Sequence, residues 1–556
     1  MTAFPISPGS LAVAFETACS RLDRVAFVDA LWSRRLDVWT SDTSVQQLIA
    51  NRLGWLGALD FLTPQLPRLR TFAHSIKSEQ FTDVVLLGMG GSSLAPEVLR
   101  QVLGVADGYP RFRMLDSVDP DAVRAAMENA GTSLFILASK SGSTIEPNVM
   151  AVEAQRRLLA AGHGNWGSRF VAITDPDTAL HRRAVDEKFR DVFVNPPDIG
   201  GRYSALSFFG MVPAALMGAD LERILNAARE MESACRVSPA AENAGLALGA
   251  MMAAGAAAGQ DKLTLRLPDR LQSLGLWVEQ LVAESTGKHG KGVVPIAGET
   301  QAGTGDDRVV VSVTLGSEAP DIESVRASGA PLVELQMPDV TAIGAEFLRW
   351  EVATAAAGLL MEINPFDEPN VQQAKDATRV LLDSYRGSGR LPIPEPDGSL
   401  DGARLTLSAA ARDHLSGASA EAFLSVLRPA DYFGLLAYLP PDTPAFDVPL
   451  QEFRNSVATR GRCATMFGYG PRYLHSTGQL HKGGANNGVF IIIAAEPASD
   501  LAIPGEPFSF GVLEMAQAVG DFQSLDRAGR RAMLVHFPTR DVERLRRMAD
   551  TLLSAL

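Results

Sequence analysis

Apolar residues in this chain fall into short continuous runs separated by longer stretches with helical spacing. Between residue 82 and about residue 215 the runs Val84–Leu87, Phe112–Leu115, Leu134–Ala138, Phe170–Thr174 and Val192–Val194 alternate with amphipathic segments. A run of this length without polar interruption fits a strand covered on both faces, and its alternation with helices predicts βαβ units and a parallel sheet. Upstream, Leu11–Asp23 and Val45–Leu59 have helical spacing and lead out through the Pro-rich Thr63–Pro67. Past an Ala-rich helix at Glu242–Gly259, alternation resumes with Lys262–Leu267, Val309–Leu315 and Leu332–Gln336 and runs into a long helix at Ile343–Met361. Residues 387–403, rich in Gly, Pro and acidic side chains, read as a linker. Strands near Tyr432–Tyr438, Val489–Ala494 and Ala532–Phe537 predict a last α/β section, closed by the basic amphipathic segment Val542–Leu556, read as a docking helix. The expected fold class is therefore α/β. Doubly wound parallel-sheet domains are expected in 79–235 and 236–386, with a helical segment at 1–78 and a last α/β section at 404–556.

Composition narrows the function more than the fold. At 556 residues with 46% hydrophobic side chains, the chain has ample core for about three or four domains. A net charge of −13 and a pI near 5.2 argue against nucleic acid or an anionic membrane as the main partner. With no basic-then-apolar leader and no uninterrupted apolar run of ~18 residues, a soluble, cytoplasmic protein is expected. Cys19, Cys235 and Cys463 lack metal spacing and read as reduced core thiols; neither a metal nor an organic cofactor is expected. Lysine is scarce, eight against 43 arginines, and Lys140, Lys288, Lys291, Lys375 and Lys482 fall in Gly/Ser/Thr/His-rich or Asn-Pro-Phe-Asp stretches. A compact ammonium on a flexible stem differs from a planar guanidinium, so these mark places where Arg would not serve, against the plainer reading of surface lysines placed by chance.

Two stretches fifty residues apart carry the chemistry: Leu86–Leu94 (Leu-Leu-Gly-Met-Gly-Gly-Ser-Ser-Leu) and Leu137–Ile145 (Leu-Ala-Ser-Lys-Ser-Gly-Ser-Thr-Ile). Each follows a predicted strand and opens a predicted helix. Such a turn gathers backbone N–H groups, hydroxyls and the positive end of a helix, and two of them at the ends of strands in one sheet suggest a single phosphate held between them. A Walker loop is absent near either turn. A dinucleotide fingerprint would need Gly where Ser93 stands, and Asp116 comes 26 residues after Gly90, later than usual. An ordinary Gly-rich βα turn remains the plain alternative.

Taken in order, Gly88-Met-Gly-Gly-Ser-Ser, Ser139-Lys-Ser-Gly-Ser-Thr, Gly200-Gly-Arg-Tyr-Ser204, Glu284-Ser-Thr-Gly-Lys288 and Ile363-Asn-Pro-Phe-Asp367 with Lys375 resemble the signatures of glucose-6-phosphate isomerases. The resemblance implies two sugar isomerase (SIS) domains, the first spanning 79–235 and the second begun in 236–386. The C-terminal section is similar to the isomerase half of bifunctional transaldolase/glucose-6-phosphate isomerases, here without the transaldolase part. The implied reaction moves a proton between C1 and C2 of a phosphorylated hexose through a cis-enediolate. Glu284 then stands where the family has its base, Arg202 where it stabilises the enediolate, and Lys375 near C1 and the ring oxygen. Gly91, Ser92, Ser139, Lys140, Ser141 and Thr144 match the phosphate cradle, with Ser141 in place of the Thr often found. The plainer readings are an N-cap or ion-paired Glu284, an Arg202 that caps a strand and a surface Lys375.

The sequence departs from the family at the ring-opening histidine. Relatives carry Gln-His-x-x-x-Gln-Leu between the base and the Asn-x-Phe-Asp element, where this chain has only His289 and no Gln-Leu after it. The similar segment is His475-Ser-Thr-Gly-Gln479-Leu480, followed by His481. The resemblance thus implies a rearranged connectivity in which 404–556 completes the second domain, and His475 is the preferred candidate, with His289 and His481 as alternatives; two His six apart are poor metal spacing. Rival functions are the same isomerisation on a sugar with another C6 anion, such as a sulfonate, and a non-catalytic SIS sensor, which would need the cradle but neither Glu284 nor Arg202. A homodimer and a functional association with a separate transaldolase are further expectations.

Overall fold

The computed structural model describes residues 4–299 and 305–556 and contains three sheets. Strand β1 (Ile6–Ser7) belongs to the second of them. The first sheet holds β2 (Asp83–Leu87), β3 (Arg111–Leu115), β4 (Ser133–Ala138), β5 (Phe170–Thr174) and β6 (Asp191–Val194), all parallel in the order β3-β2-β4-β5-β6. The second combines β7 (Lys262–Arg266), β8 (Val294–Ile296), β9 (Arg308–Leu315) and β10 (Leu332–Met337) with β1, which pairs antiparallel with β10. Each β2 and β4 residue is buried, as expected of strands covered on both faces.

The C-terminal section forms a sheet of its own. It comprises β11 (Gly398–Leu400), β12 (Ala403–Leu407), β13 (Tyr432–Tyr438), β14 (Ala464–Tyr469), β15 (Gly488–Ala495) and β16 (Arg531–Phe537), in the order β11-β12-β16-β15-β13-β14. Among the described residues none of these strands is hydrogen-bonded to the second sheet. β14 and β8 meet as neighbouring edges, tied by Arg454, which donates to the Ala297 carbonyl at 2.6 Å, and by Glu299, which accepts from the Thr465 amide at 2.9 Å. Alternation along β2 shows how the section is seated. Val84 and Leu86 face the core shared with the N-terminal helices, whereas Val85 and Leu87 face a core that also takes Tyr432, Leu436, Phe490 and Ile492 from the third sheet. Arg540 reinforces this docking by pairing with Asp119, Asp121 and Glu514.

Several boundaries differ from the sequence reading. Val45–Leu59 is not one helix: Thr43–Ala50 ends early and a turn leads into Ala58–Leu62. The break is steric. Gly54 packs so closely on Asp198 that a Cβ would lie 2.2 Å from its carboxylate, and the turn places Asn51 and Arg52 beside the first sheet. The stretch 387–403 cedes its last residues to β11 and β12. β8 went unseen because it is three residues long and contains Pro295, tolerated because β8 is an edge strand. The last helix, Val542–Leu553, packs within its own section against the helix Pro444–Gly461.

Candidate active site

The two turns predicted to hold an anion follow β2 and β4, adjacent strands of the first sheet. In the first, Gly90 has φ +56°, and a Cβ there would lie 2.6 Å from the His475 carbonyl oxygen and 3.0 Å from Gln280 Nε2. A Cβ on Gly91 would lie 2.0 Å from the Gly201 carbonyl oxygen. These glycines thus admit two distant segments to the turn as well as freeing its backbone. In the second turn, Ser139 Oγ accepts from the Gly142 amide at 3.1 Å and sits 3.2 Å from Thr144 Oγ1. Thr144 precedes the helix Ile145–Ala160 without capping it by its side chain, so the first-turn amides keep their donor capacity.

Lys140 lines the space between the two turns. Its ammonium is paired with Asp175 and donates to the Pro197 carbonyl at 2.8 Å. Arg52, brought in by the break at Gly54, lines the same space.

Arg202 lies in the short turn Gly201–Tyr203 and is almost wholly buried. Its Nε donates to Ser285 Oγ at 2.7 Å, and one terminal nitrogen donates to the carbonyls of Pro365 and Asp367, each at 2.9 Å. The other terminal nitrogen lies 3.5 Å from Glu284 Oε1 and 3.0 Å from Glu368 Oε2. Every donor group is thereby oriented, and two carboxylates share one end of the cation. Glu284 stands near the end of the helix Gln272–Thr286. Burial raises its pKa to about 7 against the pull of Arg202, with the nearby Glu368 charge adding to the rise. Lys288, also buried, is lowered to about 8 by desolvation and then by Arg202; it donates to Asp367 Oδ1 at 2.7 Å and to the Asn364 carbonyl at 2.8 Å.

His475 reaches the site from the third sheet, in the loop after β14. Its Nε2 lies 2.9 Å from Glu146 Oε1, and the same oxygen accepts from Gln517 Nε2 at 2.6 Å. Burial would push the Glu146 carboxyl up, but the His475 charge and hydrogen bond outweigh it and hold the group below its ordinary value. Gln280 joins the two halves of the site: its amide nitrogen donates to the His475 carbonyl at 2.8 Å and to Glu284 Oε2 at 3.2 Å. Arg472, three residues before His475, makes a two-pronged pair with Asp116 at 2.8 Å on each arm. The acidic residue that a dinucleotide site would turn to a ribose is thus committed to the His475 loop.

One cavity of about 520 Å³ is lined by Gly91, Ser92, Ser139, Lys140, Ser141 and Thr144 together with Arg202, Glu284, Lys375 and His475. All the residues preferred from the sequence therefore border one space. His289 and His481 do not line it: His289 is exposed, and His481 is buried among Tyr432, Tyr473 and Phe490, where desolvation holds its pKa well below the usual value. Sequence reasoning missed Glu146, Gln280, Glu368 and Gln517. For Gln517 a signal existed, since Gln517 and Asp521 are polar residues one turn apart in an otherwise largely apolar, buried helix. Glu146 offered none, because a Glu in the first turn of a helix is explained by the helix dipole alone.

A phosphoglucose isomerase family model matches residues 66–303. A glucose-6-phosphate isomerase of Rubrobacter xylanophilus is 30% identical over 387 residues, covering 56% of this chain and 87% of that protein. This chain belongs to that family. Another member, the glucose-6-phosphate isomerase of Prochlorococcus marinus (strain MIT 9313), is 35% identical over 243 residues, but the match spans only 41% of this chain and 44% of that relative. Among solved structures, a hypothetical protein from Thermus thermophilus superimposes with a TM-score of 0.56 and 25% identity, over 68% of this chain and 99% of that one. The residues matched by the family model include both turns, Arg202 and Glu284, whereas Lys375 and His475 lie beyond them. Among the described residues no helix is long and apolar enough to cross a membrane, and no group of three or more His, Cys, Asp or Glu side chains could hold a metal ion.

Proposed function

We propose that the chain interconverts glucose 6-phosphate and fructose 6-phosphate by ring opening and proton transfer through a cis-enediolate. The observation that carries the reading is the Glu284–Arg202 pair. A carboxylate with a pKa near 7 is well matched to accept a carbon-bound proton at neutral pH. Beside it stands a guanidinium whose charge Glu284 and Glu368 secure against burial, placed to stabilise an oxyanion as it develops. In this reading the substrate phosphate sits between the turns at Gly91–Ser92 and Ser139–Thr144. Glu284 carries the proton between C2 and C1, and Arg202 faces the enediolate oxygens. His475, held by Glu146, opens the ring, with Lys375 near C1 and the ring oxygen.

The test is a coupled assay for conversion of fructose 6-phosphate by the purified chain. Dehydrogenase-detectable glucose 6-phosphate supports the reading, and no conversion overturns it. A second reading, the same isomerisation on a sugar with a singly charged C6 anion such as sulfonate, draws on the Lys140–Asp175 pair, which removes one free cation from the cradle. The same assay run on a 6-sulfo sugar decides between them by the ratio of kcat/KM. A place in glycolysis and gluconeogenesis in the cytoplasm, a homodimer and an association with a transaldolase extend the proposal; sedimentation and pull-down with a transaldolase test the last two. We also read 404–556 as completing the domain begun in 236–386, supported by the Arg454 and Glu299 ties across the β8–β14 edges.

A further inference from the structure

Glu368 takes no proton and holds no substrate group in the reaction proposed above, yet it lines the same cavity and lies against its central cation. It follows the Ile363–Asp367 element, in the loop between the helices Ile343–Leu360 and Val371–Ser388. Its Oε2 is 3.0 Å from the Arg202 terminal nitrogen that Glu284 Oε1 approaches at 3.5 Å. The other donors of Arg202 are occupied by Ser285 and by the Pro365 and Asp367 carbonyls. That nitrogen is the part of the cation left to serve a base and a developing oxyanion. A second carboxylate on it changes what Glu284 experiences.

We propose that Glu368 is a positioning residue of the isomerase reaction: it anchors the shared end of the Arg202 guanidinium and, as a second anion on that cation, withdraws part of its charge from Glu284. The inference rests on the isomerase reading of this site. With Glu368 ionised, Glu284 is left less neutralised by Arg202 and so remains a better proton acceptor. Burial alone would raise the Glu368 carboxyl, but Arg202, with Arg52 and Lys288 behind it, brings it below its ordinary value, so it stays ionised at neutral pH. The groups facing Glu284 are few. Arg202 and Tyr203 come from the turn after β6, Gln280 and Lys288 from its own helix and the residues just beyond it, and Glu368 from the loop; His475 meets it only through the Gln280 amide. Of these, only Glu368 is an anion, and Gln there removes the charge while its amide oxygen can still accept from Arg202.

Glu368→Gln is the test, because the side chain is 40% exposed and the amide keeps its shape. The pH profile of kcat/KM is measured for parent, Glu368→Gln and Glu368→Asp on fructose 6-phosphate, whose own phosphate titration is common to all three. With the like charge removed, the acid limb of Glu368→Gln moves to lower pH by roughly two units, the scale expected at an effective dielectric near 20 for carboxylates that share one nitrogen at 3.0 and 3.5 Å. Glu368→Asp, which keeps the charge, holds the limb near that of the parent. An active parent whose limb superimposes on that of Glu368→Gln overturns the proposal, and so does a Glu368→Asp limb displaced as far as the Gln one. A parent without isomerase activity would instead sink the isomerase reading, which separates the two failures. Should Glu368→Gln be recovered unfolded, Glu368→Ser is profiled in its place, with the same shift required.

Discussion

The two sides of the cavity, the proposed anion cradle and the proposed proton-transfer side, are built in opposite ways. The cradle is local: two turns, each within eight residues of a strand end, in adjacent strands of one parallel sheet. Its donors are backbone amides and short hydroxyls, and its geometry follows from strand, turn and helix in direct succession. The proton-transfer side is assembled from Glu146, Arg202, Glu284, Glu368 and His475, which span more than three hundred residues and all three parts of the fold. A local device tolerates substitution, because several donors share one anion. A dispersed one places one group at each task, so its losses should be steep.

Glu284→Gln tests the steep side most directly. The amide is nearly isosteric and cannot take a proton, so turnover should fall at least ~10²-fold while affinity for 6-phosphogluconate is kept. Turnover and inhibitor binding measured together decide it; near-normal turnover would remove Glu284 from the mechanism. Loss of His475 should cost on the order of 10²-fold on the cyclic sugar and far less on a phosphorylated aldose too short to cyclise. A His475→Ala enzyme as active as the parent on the cyclic sugar would dissolve the contrast between the two sides.

The pH profile ranks next. Glu284 must be deprotonated to act and its pKa is raised to about 7, so kcat/KM should rise with pH through that value and fall about tenfold per unit below it. A limb near the ordinary carboxylate range, below about pH 5, would show that burial is not tuning the base. The smallest effects belong to the cradle. Ser139→Ala and Thr144→Ala should each weaken 6-phosphogluconate binding by roughly threefold to tenfold, the scale of one hydrogen bond to a charged partner. Isothermal titration reads this, and a hundredfold loss from either would mean that the cradle is not shared among several donors.

The same contrast explains what could be read from sequence. The sheet of 82–215 was legible because parallel strands covered on both faces are continuous apolar runs, and the turns because Gly, Ser and Thr cluster where a backbone must approach an anion. The ties among distant segments were not legible. Gln280, Gln517 and Arg472 are ordinary helix or loop residues until the fold sets them against His475, Glu146 and Asp116. Lysine scarcity pointed partly elsewhere: Lys288 and Lys482 are buried in pairs with Asp367 and Asp521, so selection for a compact ammonium there concerns packing as much as catalysis. Glu368 was passed over because an acidic residue in a loop looks solvated.

The stretch between Ser388, where a helix ends, and Gly398, where β11 begins, divides the chain into two lengths that each hold part of the site. The longer carries the proposed cradle, the proposed base and Arg202; the shorter carries His475 and the arginine that anchors its loop. A nick in this stretch would create two polypeptides with complementary halves of the proposed catalytic apparatus. Their reunion would be driven by the core shared between the first and third sheets, and isomerase activity on a cyclic sugar would then report the encounter of the two pieces.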